Sequence, residues 1–195
     1  LSGANFNGAN LSGADLSGAE LMFAKLSAAK LRYANISEAN LSDANLSGAD
    51  LTGANLNGAY LSGTFPFIGV DLSGANLSGA SLEDTNLIGA NLRLANLSFV
   101  NLSGSDLYGA NLSETDLRTT NLYAANFSEA ILNRGNVNEN LLIAGANLSG
   151  VNLSGSDLRS VNLYAANLSG ANLSEVNLRK TNFSEADLRE VNLSG

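Results

Sequence analysis

Between Ala39 and Gly58 the chain reads ANLSDANLSGADLTGANLNG, with a large apolar residue at every fifth position: Leu41, Leu46, Leu51 and Leu56. In each unit a small residue such as Ala44 stands two places before the leucine, and Asn or Asp, such as Asn45 or Asp50, immediately before it. Two small or polar residues follow, most often Ser-Gly. A period of five suits neither regular element. On an α-helix, at about 100° per residue, successive leucines drift about 140° around the axis and make no stable apolar face. In a straight strand an odd spacing sends them to opposite faces. The chain therefore turns within every unit.

Four turns of roughly a right angle close a coil of about 20 residues, and every leucine can then point at one axis. Ser-Gly and the Asx residues suit the corners, because Gly tolerates positive φ and Asn or Asp bonds its own backbone. Coils stacked at the inter-strand spacing of about 4.8 Å give a solenoid held by nearest-neighbour contacts, with Leu and small Ala, Ser, Thr or Val inside. Units such as ANLSG and ADLSG recur along essentially all 195 residues. In this the chain resembles the pentapeptide-repeat family, whose units read Ala-Asp/Asn-Leu-x-x. The resemblance implies an all-β fold: a right-handed quadrilateral parallel β-helix, here a single domain over residues 1–195 of about nine to ten coils. It implies little about function, because the repeated residues are the structural ones.

The phase holds from Leu1 to Leu61, from Leu72 to Leu142 and from Leu148 to Leu193, with Phe6, Ile36, Phe127 and Phe183 as substitutes at the same inward site. Leu61 and Leu72 stand eleven apart, and Leu142 and Leu148 six, so one residue is added at each break. Pro66 lies in the first break and cannot donate to a ladder. Thr64 to Gly69 is expected to bulge outward with either Phe65 or Phe67 turned inward, and Asn138 to Gly145 is the second irregularity. The count of units places both breaks around one corner. That groups Phe65, Phe67 or Ile68 with Leu141 or Ile143 on one side of the rod as a candidate interaction surface.

The net charge is −8 and the chain has no Cys and no His. This composition removes disulfides, zinc knuckles and imidazole chemistry, and disfavours a phosphate-backbone binder. No cofactor or metal site is expected. The Asx column is read as corner hydrogen bonding rather than an ice- or metal-binding array, and the neighbouring Asp50 and Asp71 fall short of the six to eight oxygens calcium takes. The recurrent Asn-Leu-Ser sequons are by-products of the repeat. No apolar run is long enough to span a membrane and no basic-then-apolar leader opens the chain, so a cytoplasmic location is favoured. Leu1 rather than Met comes first, and a larger bacterial protein is the expected context. Neither terminus shows a capping helix, so flanking domains or end-to-end self-association are expected to cover the ends.

The acidic side of the rod carries Glu20, Asp43, Glu83, Asp84 and Glu185 in the units of Leu21, Leu41, Leu82 and Phe183. Glu83, Asp84 and Glu185 complete the candidate surface. A paired-carboxylate hydrolase needs its acids about 5 to 9 Å apart around a cleft, and a convex rod offers none, so no catalytic residue is assigned. Arg118, Arg159 and Arg179, with Tyr123 and Tyr164 one unit on, look like a nucleic-acid stripe, but Asp116 and Asp157 neutralise them. The expected function is a non-catalytic structural or protein-interaction scaffold. The family resemblance implies an alternative, since some members resemble duplex DNA, bind type II topoisomerases such as gyrase and protect against quinolones. Duplex DNA carries one charge per about 1.7 Å, so a rod of about 48 Å would imitate roughly 28 charges. The net charge here is −8.

Overall fold

The computed structural model describes residues 1–63, 67–117, 119–123, 125–133 and 143–195. Its logic is visible in one unit, Ala49 to Gly53, where all five backbone amides are satisfied. Ala49 donates back to the Leu46 carbonyl at 2.9 Å, closing a turn. Asp50 donates to Ala29 one coil earlier at 2.9 Å, while Leu51 and Gly53 donate to Asp71 and Ser73 one coil later at 2.7 and 3.0 Å. The fifth amide, Thr52, has no backbone acceptor within reach of its turn and takes the Asp50 Oδ1 at 3.1 Å. The Asx residue before each leucine therefore completes the hydrogen bonding of its own corner. Gly53 sits at φ 67°, and positive φ at the third residue of a hydrogen-bonded turn defines type II.

Repeating this unit gives parallel bridges at intervals of 20 residues, such as Asn35 with Asn55 and Asn91 with Asn111. One column runs unbroken through ten residues from Asn10 to Asn192. Nine steps between them span about 43 Å at sheet spacing. Leu41, Leu46, Leu51 and Leu56 are wholly buried, as are Ala39, Ala44 and Ala54. Where Thr or Ser replaces Ala inside, its hydroxyl donates to a leucine carbonyl of the stack: Ser105 to Leu82 at 2.6 Å, Thr120 to Leu97 at 2.9 Å, Ser156 to Leu132 at 3.1 Å. Burial of the hydroxyl is thereby offset. Among the described residues no helix is long and apolar enough to cross a membrane.

Outside, the Asx side chains form a second lattice. Asn35 donates to Asp15, Asn55 to Asn35, Asn76 to Asn55 and Asn96 to Asn76, at 3.0 to 3.1 Å. Another ladder climbs from Asp106 through Asn126 and Asn147 to Asn167. In both, Asp is the first rung, because an ionised carboxylate only accepts while an amide accepts and donates.

The bridge interval is 21 between Asp50 and Asp71 and between Tyr60 and Ser81, and again between Asn126 and Asn147. The lattice thus absorbs each added residue within one coil. Phe67 bonds to Asn86 at 2.9 Å and accepts from Val70 at 3.1 Å, with Gly69 at φ 64°. Phe67 to Val70 is an ordinary corner, so the first extra residue falls between Leu61 and Phe67. The expected bulge over Thr64 to Gly69 therefore does not include Phe67 to Gly69, and of the two phenylalanines expected to compete for the inward site Phe67 takes it; Thr64 to Pro66, Phe65 included, lie outside the described residues. Ile143 accepts from Ala146 at 3.1 Å and Gly145 donates to Tyr164 at 2.9 Å, so the chain is regular again from Ile143. Asn138 to Leu142, with Leu141, lie outside the described residues. Ile143 belongs to the column of Leu61, Leu82 and Leu163. The first extra residue follows that column's inward site and the second precedes it, which overturns the expectation of one shared corner.

Candidate interaction surface

In each unit three positions face outward: the Asx residue on the flat of the coil and the two corner residues after the leucine. Of the eight surface residues expected from sequence, Phe67 and Ile143 are instead core, at 2% and 5% exposure. The physical reason is the register just described, which carries both into the inward leucine site. Ile68 is exposed at the next corner position. It shares a column with Ile88 and Tyr108, since Gly69 donates to the Ile88 carbonyl and Gly89 to that of Tyr108. The sequence reading missed Ile88 and Tyr108; an apolar residue directly after the inward one, recurring each coil, was the available signal.

Glu83 and Asp84 share a corner. Glu83 accepts from the Ser103 hydroxyl at 3.4 Å. Asp84, at φ 54°, leans across the corner of the next coil, where a Cβ on Gly104 would collide with its carboxylate. Glu185 lies five coils further along, about 24 Å at sheet spacing, and accepts from the Tyr164 hydroxyl at 2.8 Å. That bond pushes the Tyr164 pKa up. The acidic residues therefore share a column but not a site. In the arginine stripe, Arg159 folds onto Asp157 at 2.6 Å and Arg189, on the opposite face, does the same onto Asp187 at 2.6 Å. The hydrogen bonds from these arginines hold both carboxyls below the usual range. Arg118 lies outside the described residues.

Asp50 and Asp71 do meet on neighbouring coils. Partial burial raises the Asp50 pKa, but the Thr52 hydroxyl and amide, with Arg32 and Lys30, outweigh it and the net shift is downward. Asp71 accepts from the Ser73 amide at 3.0 Å and the Asn91 side chain at 3.1 Å. Each carboxylate is thus engaged by its own corner. Among the described residues no three His, Cys, Asp or Glu side chains gather as a metal site.

A region the sequence reading passed over is the coil Ala19 to Glu38, AELMFAKLSAAKLRYANISE. Its Asx positions are occupied by Glu20, Lys25 and Lys30, and only Asn35 keeps the ladder residue. Its four corners use Phe23, Ala28, Tyr33 and Glu38 at φ 55° to 57° where glycine is usual. Phe23 and Tyr33 are 55% and 68% exposed. The Arg32 guanidinium lies 5.8 Å from the centroid of the Tyr33 ring.

The model of the family described as pentapeptide repeats matches this chain in eight copies, over residues 1–35, 29–64, 67–98, 95–134, 143–174 and 156–195. Among solved structures the chain is similar to HetL, a pentapeptide repeat protein involved in heterocyst differentiation regulation from the cyanobacterium Nostoc sp. strain PCC 7120. Identity is 30% over 96% of this chain and 88% of HetL, with a TM-score of 0.43. A pentapeptide repeat protein of the Arabidopsis thaliana thylakoid lumen is 29% identical over 66% of this chain and 68% of its own, with a TM-score of 0.23. Trypsin-treated QnrB1, a plasmid-mediated fluoroquinolone resistance protein, is 20% identical over 98% and 90%, with a TM-score of 0.48. No curated protein matches the chain.

Proposed function

The chain belongs to the pentapeptide-repeat family, and on that premise we propose that it is a right-handed quadrilateral β-helix serving as a non-catalytic scaffold for protein partners. The observation that supports this reading is the division of labour within the unit. Inward and Asx positions are given over to the lattice, while the corner residues vary freely between Ser-Gly, Ile-Gly, Arg-Tyr and Glu-Asp without changing the backbone bonds. Such a surface presents side chains at fixed intervals of about 4.8 Å along the axis. Self-association, in this reading, runs end to end through the stacked coils.

The test is supercoiling by purified gyrase at rising concentrations of the protein, with light scattering in parallel. The scaffold reading expects unchanged supercoiling and, if particles grow, elongated ones. Inhibition at low micromolar protein that disappears on neutralising Glu83, Asp84 and Glu185 would replace it with imitation of DNA.

A further inference from the structure

Coil Ala19 to Glu38 departs from the lattice at three of its four Asx positions, where Glu20, Lys25 and Lys30 stand. At the Asx positions, Lys25 and Lys30 leave their corners without the bond that closes all four corners of the following coil, from Asn40, Asn45, Asp50 and Asn55. Ser27 takes its acceptor from Asn7 of the preceding coil instead, at 3.0 Å. At the corners, left-handed φ at a residue with a Cβ costs about 1 kcal/mol; Phe23, Ala28 and Tyr33 adopt it in succession, as Glu175, Lys180, Glu185 and Glu190 do in the last coil, so the Asx positions are what set this coil apart. No insertion lies nearby to account for this, since the bridges here keep the interval of 20. Local rules broken without structural gain concentrate at functional positions.

What the departures display is chemically coherent. Three of the ten Lys and Arg residues of the chain fall within Lys25 to Arg32. Lys25 and Lys30 stand exposed on adjacent flats around the small corner Ser27-Ala28. Phe23 precedes them at one exposed corner, and Tyr33, backed by Arg32, follows at the next. A cationic, aromatic-flanked girdle thus covers two adjacent sides of one coil on a rod whose net charge is −8.

We propose that this girdle is a docking surface for an acidic segment of a partner protein, with carboxylates at Lys25 and Lys30 and apolar side chains against Phe23 and Tyr33. The inference rests on the scaffold reading and names the chemistry of its partner. Charge complementarity fixes the sign of that partner, and the surroundings fix its class. Glu20, Glu38 and Asp50 bracket the cations, so a phosphate backbone running on past the girdle would meet like charge. A short extended peptide, about 13 Å for four residues, fits between them.

The experiment measures anisotropy of a fluorescein-labelled peptide alternating glutamate with phenylalanine, titrated with the full chain. A glutamine–phenylalanine peptide and single-stranded oligothymidine serve as competitors. The acidic peptide should bind at least about tenfold more tightly than the neutral one, less so as salt shortens the screening length. Lys25→Asn with Lys30→Asn should abolish that preference and at the same time raise the melting temperature, because both restore an Asx residue at the corner, the first joining Asn5 to Asn45 and the second Asn10 to Asp50. Lys180→Gly, which removes a cation from a distant corner, should leave binding within about twofold. Equal affinity for the neutral peptide, tighter binding of oligothymidine, undiminished binding by the double variant, or a lower melting temperature for it would each overturn the proposal. These readouts are separate from gyrase inhibition, so the girdle can fail while the scaffold reading stands, and the reverse.

Discussion

Two neighbouring coils, Ala19 to Glu38 and Ala39 to Gly58, share an interior and almost nothing else. Inward, Leu21, Ala24, Leu26, Ala29, Leu31, Ala34 and Ile36 match Leu41, Ala44, Leu46, Ala49, Leu51, Ala54 and Leu56, all at 1% exposure or less. Outward, the second coil closes all four of its corners with Asx bonds, from Asn40, Asn45, Asp50 and Asn55. The first closes one this way, from Asn35. Yet the coils pair residue for residue, with Phe23 still donating to Ser42 at 3.1 Å and Tyr33 to Thr52 at 3.0 Å. The interior and the backbone ladder therefore determine the architecture, and the outer lattice adjusts its stability.

If so, the largest losses should be the same in both coils. Leu26→Ala and Leu46→Ala each remove a fully buried side chain and should cost about 2 to 5 kcal/mol in denaturant unfolding, through lost transfer energy and the cavity left behind. A difference greater than that spread would mean the two interiors are not equivalent.

The outer lattice should separate the coils by smaller amounts. Asn45→Ala strips the Ser47 amide of its acceptor at 3.0 Å and should cost about 1 kcal/mol. Lys25→Ala, which removes no such bond, should fall within about 0.5 kcal/mol. Corner substitutions should go in opposite directions. Gly48→Ala, at φ 64° with open space around the new Cβ, should cost about 1 kcal/mol in backbone strain alone, and Ala28→Gly should recover a similar amount. Both pairs are read from shifts in the denaturation midpoint.

The smallest expected effect is in acid. Asp15 accepts from the Ser17 hydroxyl at 2.7 Å and its amide at 3.1 Å, bonds that lower its pKa below the ordinary carboxylate value. The unfolded chain therefore takes up the proton first. Its contribution to stability is present above the ordinary carboxylate pKa of about 4 and is lost as pH falls through the folded value. Asp15→Asn keeps an acceptor at the corner without the titration, so its melting temperature should fall less steeply below about pH 4 than that of the parent.

Much of this was legible in the sequence. The period of five could belong to neither a helix nor a strand, and it led directly to turning units, stacked coils, inward leucines and Asx corners. The two added residues were visible in the leucine spacing, but not their places. Phe67 can fill a leucine site as well as Leu, and Leu142 beside Ile143 offers two candidates for one position, so hydrophobicity alone could not choose the register. Ile68 was correctly read as outward, while its companions Ile88 and Tyr108 went unnoticed because each unit looked ordinary by itself. The girdle of Ala19 to Glu38 was hidden for the same reason: its apolar rhythm is perfect, and only Glu20, Lys25 and Lys30 at Asx positions mark it.

The most direct trial of the division between interior and surface transplants the outward residues of one coil onto the other. In such a chain Glu20, Lys25 and Lys30 become Asn, Asn and Asp, and Phe23, Ala28, Tyr33 and Glu38 become Asp, Gly, Gly and Gly, with every inward residue untouched. Thermal unfolding followed by circular dichroism should give the parent β spectrum and a higher melting temperature. A lower melting temperature, or loss of the cooperative transition, would show that the outward residues of Ala19 to Glu38 are part of what holds the coil together.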